Sequence, residues 1–187
     1  MHLAGLYLHI PFCKKACNYC NFHFSTSLVQ KEVVLAALHQ ELVERASDWQ
    51  TQCFETVYWG GGTPSLLTPA ELNALWDTIQ KHYTLATDLE ITLEANPDDL
   101  SLSYLMGLRQ TPVNRLSIGI QSFSEEDLRF MNRAHDAAQA RACIPNAQAA
   151  GFHQLTVDLI YGTPTTSHAQ WATNLQTVFE LGVPHLS

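Results

Sequence analysis

The sequence predicts an α/β fold, a parallel sheet covered by helices, on three observations. Short β-branched runs alternate with amphipathic stretches from one end of the chain to the other. The amphipathic stretches begin at helix-capping spacings and stop at glycine. Within the strands, apolar residues recur at period two and face polar or acidic ones, strand after strand.

Taken in order, the first strand is Leu3 to Ile10, with Leu6, Leu8 and Ile10 on one face and Tyr7 and His9 on the other. Ser27 with Gln30 has the spacing of a helix start, and Leu35, Leu38 and Leu42 give that helix an apolar face. The second strand is Phe54 to Trp59. Thr68, Pro69 and Glu71 then form a capping box with proline at the first helical position, ahead of Leu72, Leu75 and Ile79. In the third strand, Leu89 to Glu94, the residues Leu89, Ile91 and Leu93 oppose Glu90, Thr92 and Glu94. In the fourth, Arg115 to Ile120, Leu116, Ile118 and Ile120 oppose Ser117, Gly119 and the following Gln121. Ser124 with Asp127 starts a helix.

Asp136 to Ala150 reads as another helix, stopped by Gly151, but Pro145 inside it costs about 3 kcal/mol and predicts a kink or break near Ile144. The fifth strand, Gln154 to Tyr161, sets Leu155, Val157 and Leu159 against Thr156 and Asp158. Ser167 with Gln170 opens the last helix, which Gly182 closes. Val183 to Ser187 reads as the beginning of a sixth strand. The expected architecture is therefore a partial (β/α)6-type barrel with about five βα units and the sixth strand cut off, one domain over residues 1–187 that is incomplete at its C-terminus.

A doubly wound sheet buried on both faces gives continuous apolar strands. Here one face of each strand is polar, which predicts a barrel-like sheet with helices outside and a polar cavity inside. Ligands then belong at the C-terminal strand ends, where Cys13, Gly60 to Thr63, Glu94, Gln121 and Asp158 fall.

Composition narrows the function. With 46% apolar and 15% charged residues among 187, the chain can bury a core and is not disordered. Five cysteines are too few, and odd in number, for a disulfide scaffold. Ten Lys+Arg against 18 Asp+Glu give a net charge of -8 without any basic block, so no nucleic-acid partner is expected. No apolar run is long enough for a transmembrane segment, and no secretory signal precedes the first strand, so a cytoplasmic location is expected.

The chemistry concentrates in Cys13-Lys14-Lys15-Ala16-Cys17-Asn18-Tyr19-Cys20, a C-x3-C-x2-C loop following the first strand. Three thiolates on one short loop can hold three irons of a 4Fe-4S cube and leave the fourth open to a chelating small molecule. A structural zinc with His23 as fourth ligand, and unrelated buried thiols, are the plainer alternatives. Cys53 and Cys143 read as ordinary core residues. Gly60-Gly61-Gly62-Thr63 lets backbone approach a ligand closely, or is simply a tight βα turn. Glu94 ends the polar face of its strand, as a ligand acceptor or a solvated loop acid.

These motifs carry a resemblance. The cysteine loop resembles that of the radical S-adenosylmethionine (SAM) superfamily. Tyr7-Leu8-His9-Ile10-Pro11-Phe12-Cys13, Trp59-Gly60-Gly61-Gly62-Thr63-Pro64-Ser65 and Arg115-Leu116-Ser117-Ile118-Gly119-Ile120-Gln121-Ser122-Phe123 resemble the oxygen-independent coproporphyrinogen III oxidase group with its heme-chaperone branch. The resemblance implies a 4Fe-4S cluster on Cys13, Cys17 and Cys20. It implies a SAM site lined by Tyr7, Tyr19, Gly61, Gly62, Thr63, Glu94, Gln121, Arg133 and Asp158, with reductive cleavage of SAM to a 5′-deoxyadenosyl radical as its chemistry. From the residues alone, Arg133 reads as a surface arginine.

Two departures bear on the branch. The oxidase has a fourth cysteine after the triad, as C-x-C, where this chain has Cys20-Asn21-Phe22, and it carries an extension before the first strand. Both point to the heme-chaperone branch, with heme as bound cargo, heme-accepting proteins and a low-potential electron donor as partners. The alternative is the oxidase, which converts coproporphyrinogen III to protoporphyrinogen IX in porphyrin biosynthesis. No catalytic residue is assigned. A Gly62→Val exchange is expected to block SAM and spare the cluster.

Overall fold

In a computed structural model, which describes residues 4–187, six strands form one parallel sheet in the order of the chain. The strands are β1 (Gly5–Ile10), β2 (Cys53–Gly61), β3 (Thr84–Ala95), β4 (Arg115–Gln121), β5 (Gln154–Leu159) and β6 (His185–Leu186). The sheet is open: β1 and β6 are its two edges, and β6 contributes two residues, paired with Thr156 and Val157. The expected start of β1 at Leu3 lies outside the described residues. The predicted end of β5 at Tyr161 runs two residues too far: the last rung of the β4–β5 ladder is the bond from Ile160 N–H to the Gln121 carbonyl at 2.9 Å.

The helices are α1 (Lys31–Arg45), α2 (Pro69–His82), α3 (Leu102–Leu108), α4 (Glu125–Phe130), α5 (Ala137–Ala149) and α6 (His168–Glu180). Their buried residues join the apolar strand faces in one continuous core, with Leu8 and Ile10, Val57 and Trp59, Leu116 and Ile118 meeting Leu72, Leu75 and Ile79. Each such fully buried side chain contributes about 1.5–3 kcal/mol. The other strand face, left without helices, lines a cavity.

The caps follow the sequence closely. Thr68 and Glu71 form the reciprocal capping box of α2, with Glu71 accepting from Thr68 N–H at 2.7 Å. The side chains of Ser124 and Ser167 cap α4 and α6, and Asp136 with Gln139 makes a second capping box on α5. Gly151 and Gly182 follow the ends of α5 and α6 at φ +94° and +65°.

Three expectations need correction. Ser27 does not start α1; its hydroxyl accepts from Val29 N–H at 3.4 Å inside a turn, and the helix begins at Lys31, which reaches Glu71 at 2.8 Å. Pro145 does not break α5. It lies on the exposed side of the helix, where water can satisfy the freed carbonyl, while Ala140, Cys143, Ile144 and Ala147 hold the other side in the core. Cys53 is exposed at the start of β2, and only Cys143 of the two lone cysteines is buried.

Candidate functional site at the C-terminal strand ends

The polar strand faces enclose a cavity of about 490 Å3. Cys13, Cys17 and Cys20 line it, and so do Tyr19, Gly61, Gly62, Thr63, Glu94, Gln121, Arg133 and Asp158. Residues from the C-terminal ends of five strands and the loops that follow them thus converge on one space, which the three cysteines share with the glycine turn. Tyr7 is the one candidate outside the lining. It sits on edge strand β1 with its ring stacked on Tyr58 at 5.9 Å and its hydroxyl 3.2 Å from His9 Nδ1, beside the cavity rather than in it.

The cysteine loop is tied down at both ends. Cys13 N–H donates to Ser25 O at 3.0 Å, and Ser25 N–H to Pro11 O at 2.8 Å. Lys14 pairs with Asp98 and Asp99 in the turn after β3, and Asp99 accepts from Ser65 Oγ at 2.6 Å. Across the cavity, Asn18 reaches Met131 O and Phe130 O at 3.1 and 2.7 Å, and Asn132 returns a bond to Ala16 O at 2.7 Å. The segment between α4 and α5 therefore acts as a clamp on the loop.

Arg133 is the hub of that clamp and not a surface residue. Its guanidinium donates to Cys17 Sγ at 3.3 Å, Tyr19 Oη at 3.1 Å, Asn96 Oδ1 at 2.6 Å and Gly119 O at 2.7 Å. Asn96 in turn donates to Thr63 Oγ1 at 3.1 Å. Burial pushes the Cys13 thiol above its ordinary value, and a bond with the Thr63 hydroxyl offsets part of this. Arg133 Nε is buried and has no hydrogen-bond partner among the described residues.

Glu94 is fixed from two sides, by Tyr58 Oη at 2.8 Å and by Gly61 N–H at 3.0 Å. Burial raises the Glu94 and Asp158 carboxyls above their usual range. Gly61 has φ +113°, and a side chain there would also strike the His9 ring. Gly62 packs on protein backbone: an added Cβ would lie 2.6 Å from Phe12 O and 2.9 Å from Ile10 O.

Sequence reasoning missed Asn96 and Tyr58. Tyr58 alternates with buried Val57 and Trp59 and was legible from the period of β2; Asn96 carried no signal beyond its place before Pro97. Among the described residues, no group of three or more His, Cys, Asp or Glu is gathered as ligands of a single metal ion would be.

The fold and this site define the class. The family model of the radical SAM superfamily matches residues 7–178, and the chain belongs to that superfamily. Within it, the chain is 37% identical to the heme chaperone HemW of Mycobacterium tuberculosis over 187 residues, 98% of this chain and 48% of the relative. It is 36% identical to the oxygen-independent coproporphyrinogen III oxidase of Escherichia coli, covering 98% of this chain and 40% of that protein. The solved Escherichia coli coproporphyrinogen III oxidase HemN superposes with a TM-score of 0.88 at 36% identity, over 98% of this chain and 43% of that one. Methylornithine synthase PylB shares the fold at a TM-score of 0.68 and 12% identity, over 98% of this chain and 52% of that one. The chain spans about half the length of the curated relatives it matches. Among the described residues no helix is long and apolar enough to cross a membrane.

Proposed function

We propose that residues 1–187 form a radical SAM core that holds a 4Fe-4S cluster on Cys13, Cys17 and Cys20 and binds SAM beside it, in a protein that binds and delivers heme. The observation that carries the reading is the convergence of all three thiols with Gly61–Thr63, Glu94, Gln121, Arg133 and Asp158 on one cavity. The donor set suits the group: three sulfur ligands on a clamped loop, with a guanidinium beside one of them. When bound, the cluster and SAM supply one-electron reductive chemistry. The protein's own residues orient and enclose. Thr63 reaches the Cys13 thiol and Arg133 the Cys17 thiol, Glu94 offers a fixed acceptor, and Tyr19 and Phe22 form part of the cavity wall.

Identity alone does not separate chaperone from oxidase, since 37% and 36% are equivalent. The specific difference is Phe22, at the place of the oxidase's fourth cysteine; it lines the cavity and is 73% exposed. The absence of a cysteine in that place favours the chaperone branch, whose cargo is heme. Heme-accepting proteins and a low-potential electron donor would be its partners, and the cytoplasm its compartment.

Anaerobic reconstitution with iron and sulfide tests the core. A brown protein with about four irons per chain and saturable SAM binding is expected; zinc uptake without cluster absorption would overturn the reading. Hemin titration should show stoichiometric binding with no conversion of coproporphyrinogen III, whereas turnover of that substrate would select the oxidase.

A further inference from the structure

The last residue of β4 has a backbone that does not suit its side chain. Gln121 lies at φ +68°, and Ser122 N–H donates back to Ile120 O at 2.9 Å, which closes a three-residue turn of the strained hand around Gln121. An L-residue pays about 1–2 kcal/mol for such a conformation. The register between β4 and β5 shifts between Ile118 and Gln121, so the turn forms an irregular end to the ladder, with Gln121 paired to Leu159.

The surroundings hold it in place. His135 is buried, and its Nε2 donates to Ile120 O at 3.1 Å while Nδ1 has no partner among the described residues, which sets the tautomer. Ile160 N–H donates to Gln121 O at 2.9 Å. Behind the turn, Ser122 Oγ donates to buried Asp127 at 2.7 Å, and Asn174 binds both Ser122 Oγ and Phe123 N–H. The Gln121 amide nitrogen reaches over bare Gly119, where an added Cβ would come within 3.0 Å of it, and lines the cavity close to Arg133.

We infer that His135 is a positioning residue: by gripping the Ile120 carbonyl it fixes the strained turn that aims the Gln121 amide into the cavity. This rests on the proposed SAM site, because Gln121 matters to a ligand only if the cavity binds one. A merely structural turn in this place would be filled by glycine, which carries no strain at positive φ. The chain instead has glutamine there, and a buried ring to hold it.

The experiment compares wild type with His135→Phe, His135→Gln, Gln121→Ala and Gln121→Gly. In the unloaded protein, His135→Phe should speed amide exchange at Ser122 and Ile160 about tenfold and leave Cys13 and Ser25 unchanged, while His135→Gln, which keeps an N–H donor, recovers much of the protection. In the reconstituted protein, His135→Phe should keep its iron and bind SAM about tenfold more weakly. Gln121→Gly should melt above Gln121→Ala, the reverse of the order at an unstrained position. Unchanged exchange in His135→Phe, or Gln121→Ala melting above Gln121→Gly, would overturn the inference. If His135→Phe fails to fold, the Gln121 pair decides. Failure of the wild type to bind SAM would sink the site reading, with exchange and melting order still deciding the turn.

Discussion

The guanidinium of Arg133 stands 3.3 Å from the sulfur of Cys17, joining residues 116 positions apart in the chain. The same group binds Asn96 and Gly119, so one side chain ties the cysteine loop to the ends of β3 and β4. Arg133→Lys keeps the charge and loses the planar fork. SAM affinity should fall about 10- to 100-fold, the loss of one or two hydrogen bonds to a charged donor, measured by equilibrium dialysis on reconstituted protein. Unaltered affinity would refute the hub role.

Gly62→Val should now cost more than the sequence suggested. The added side chain meets the Ile10 and Phe12 backbone leading into Cys13, so both iron content and SAM binding should drop. Cys17→Ser should lose the cluster alone, with an unchanged far-UV circular dichroism spectrum.

His135 makes stability pH-dependent. Burial holds its imidazole down at about 4, and nearby Arg133 adds to this, while the Ile120 carbonyl, Asp98 and Asp136 oppose it. A base whose folded value lies below its unfolded value of about 6.5 binds more protons when unfolded. Its contribution is therefore complete above pH 6.5 and is lost as pH falls towards 4, by at most about 3 kcal/mol. Glu94 and Asp158, raised by burial, have the opposite sign: their contribution is present at low pH and lost as pH rises through their folded values. Urea melts of wild type against His135→Gln between pH 4 and 7 isolate the histidine, and a constant difference would contradict this account.

Pro145→Ala should stabilise the protein, by up to about 3 kcal/mol, because it restores an α5 hydrogen bond without touching the core side of the helix. A higher urea midpoint at an unchanged m-value is the expected result; a lower midpoint would show that the proline is favourable where it stands.

Asp127→Ala should be among the costlier single changes, at about 1–3 kcal/mol for each hydroxyl left unpaired. Asp127 is fully buried and accepts from Ser122 Oγ at 2.7 Å and Thr165 Oγ1 at 2.6 Å. Chemical denaturation measures it.

What the sequence made legible is what repeats locally. The period-two strands marked the cavity face, as Glu94, Gln121 and Asp158 bear out, and the Thr68, Ser124 and Ser167 spacings marked real helix starts. What it concealed is set by distant pairing. Asn18 with Phe130, Asn132 with Ala16 and Asn96 with Thr63 lie 33 to 116 positions apart and leave no periodic trace. Ser27 had the spacing of a cap, yet the turn from Ser25 used its hydroxyl elsewhere. Tyr7 shares the polar face of edge strand β1, and its ring packs on Tyr58 next to the cavity lining.

The bond from Arg133 to the Gly119 carbonyl has one more consequence. A guanidinium is a planar cation whose donors are held in a fixed fork. The sulfur-rich wall thus carries a built-in countercharge that is moored to backbone. An anionic guest at that wall would meet donors already aimed by their bonds to Asn96 and Gly119.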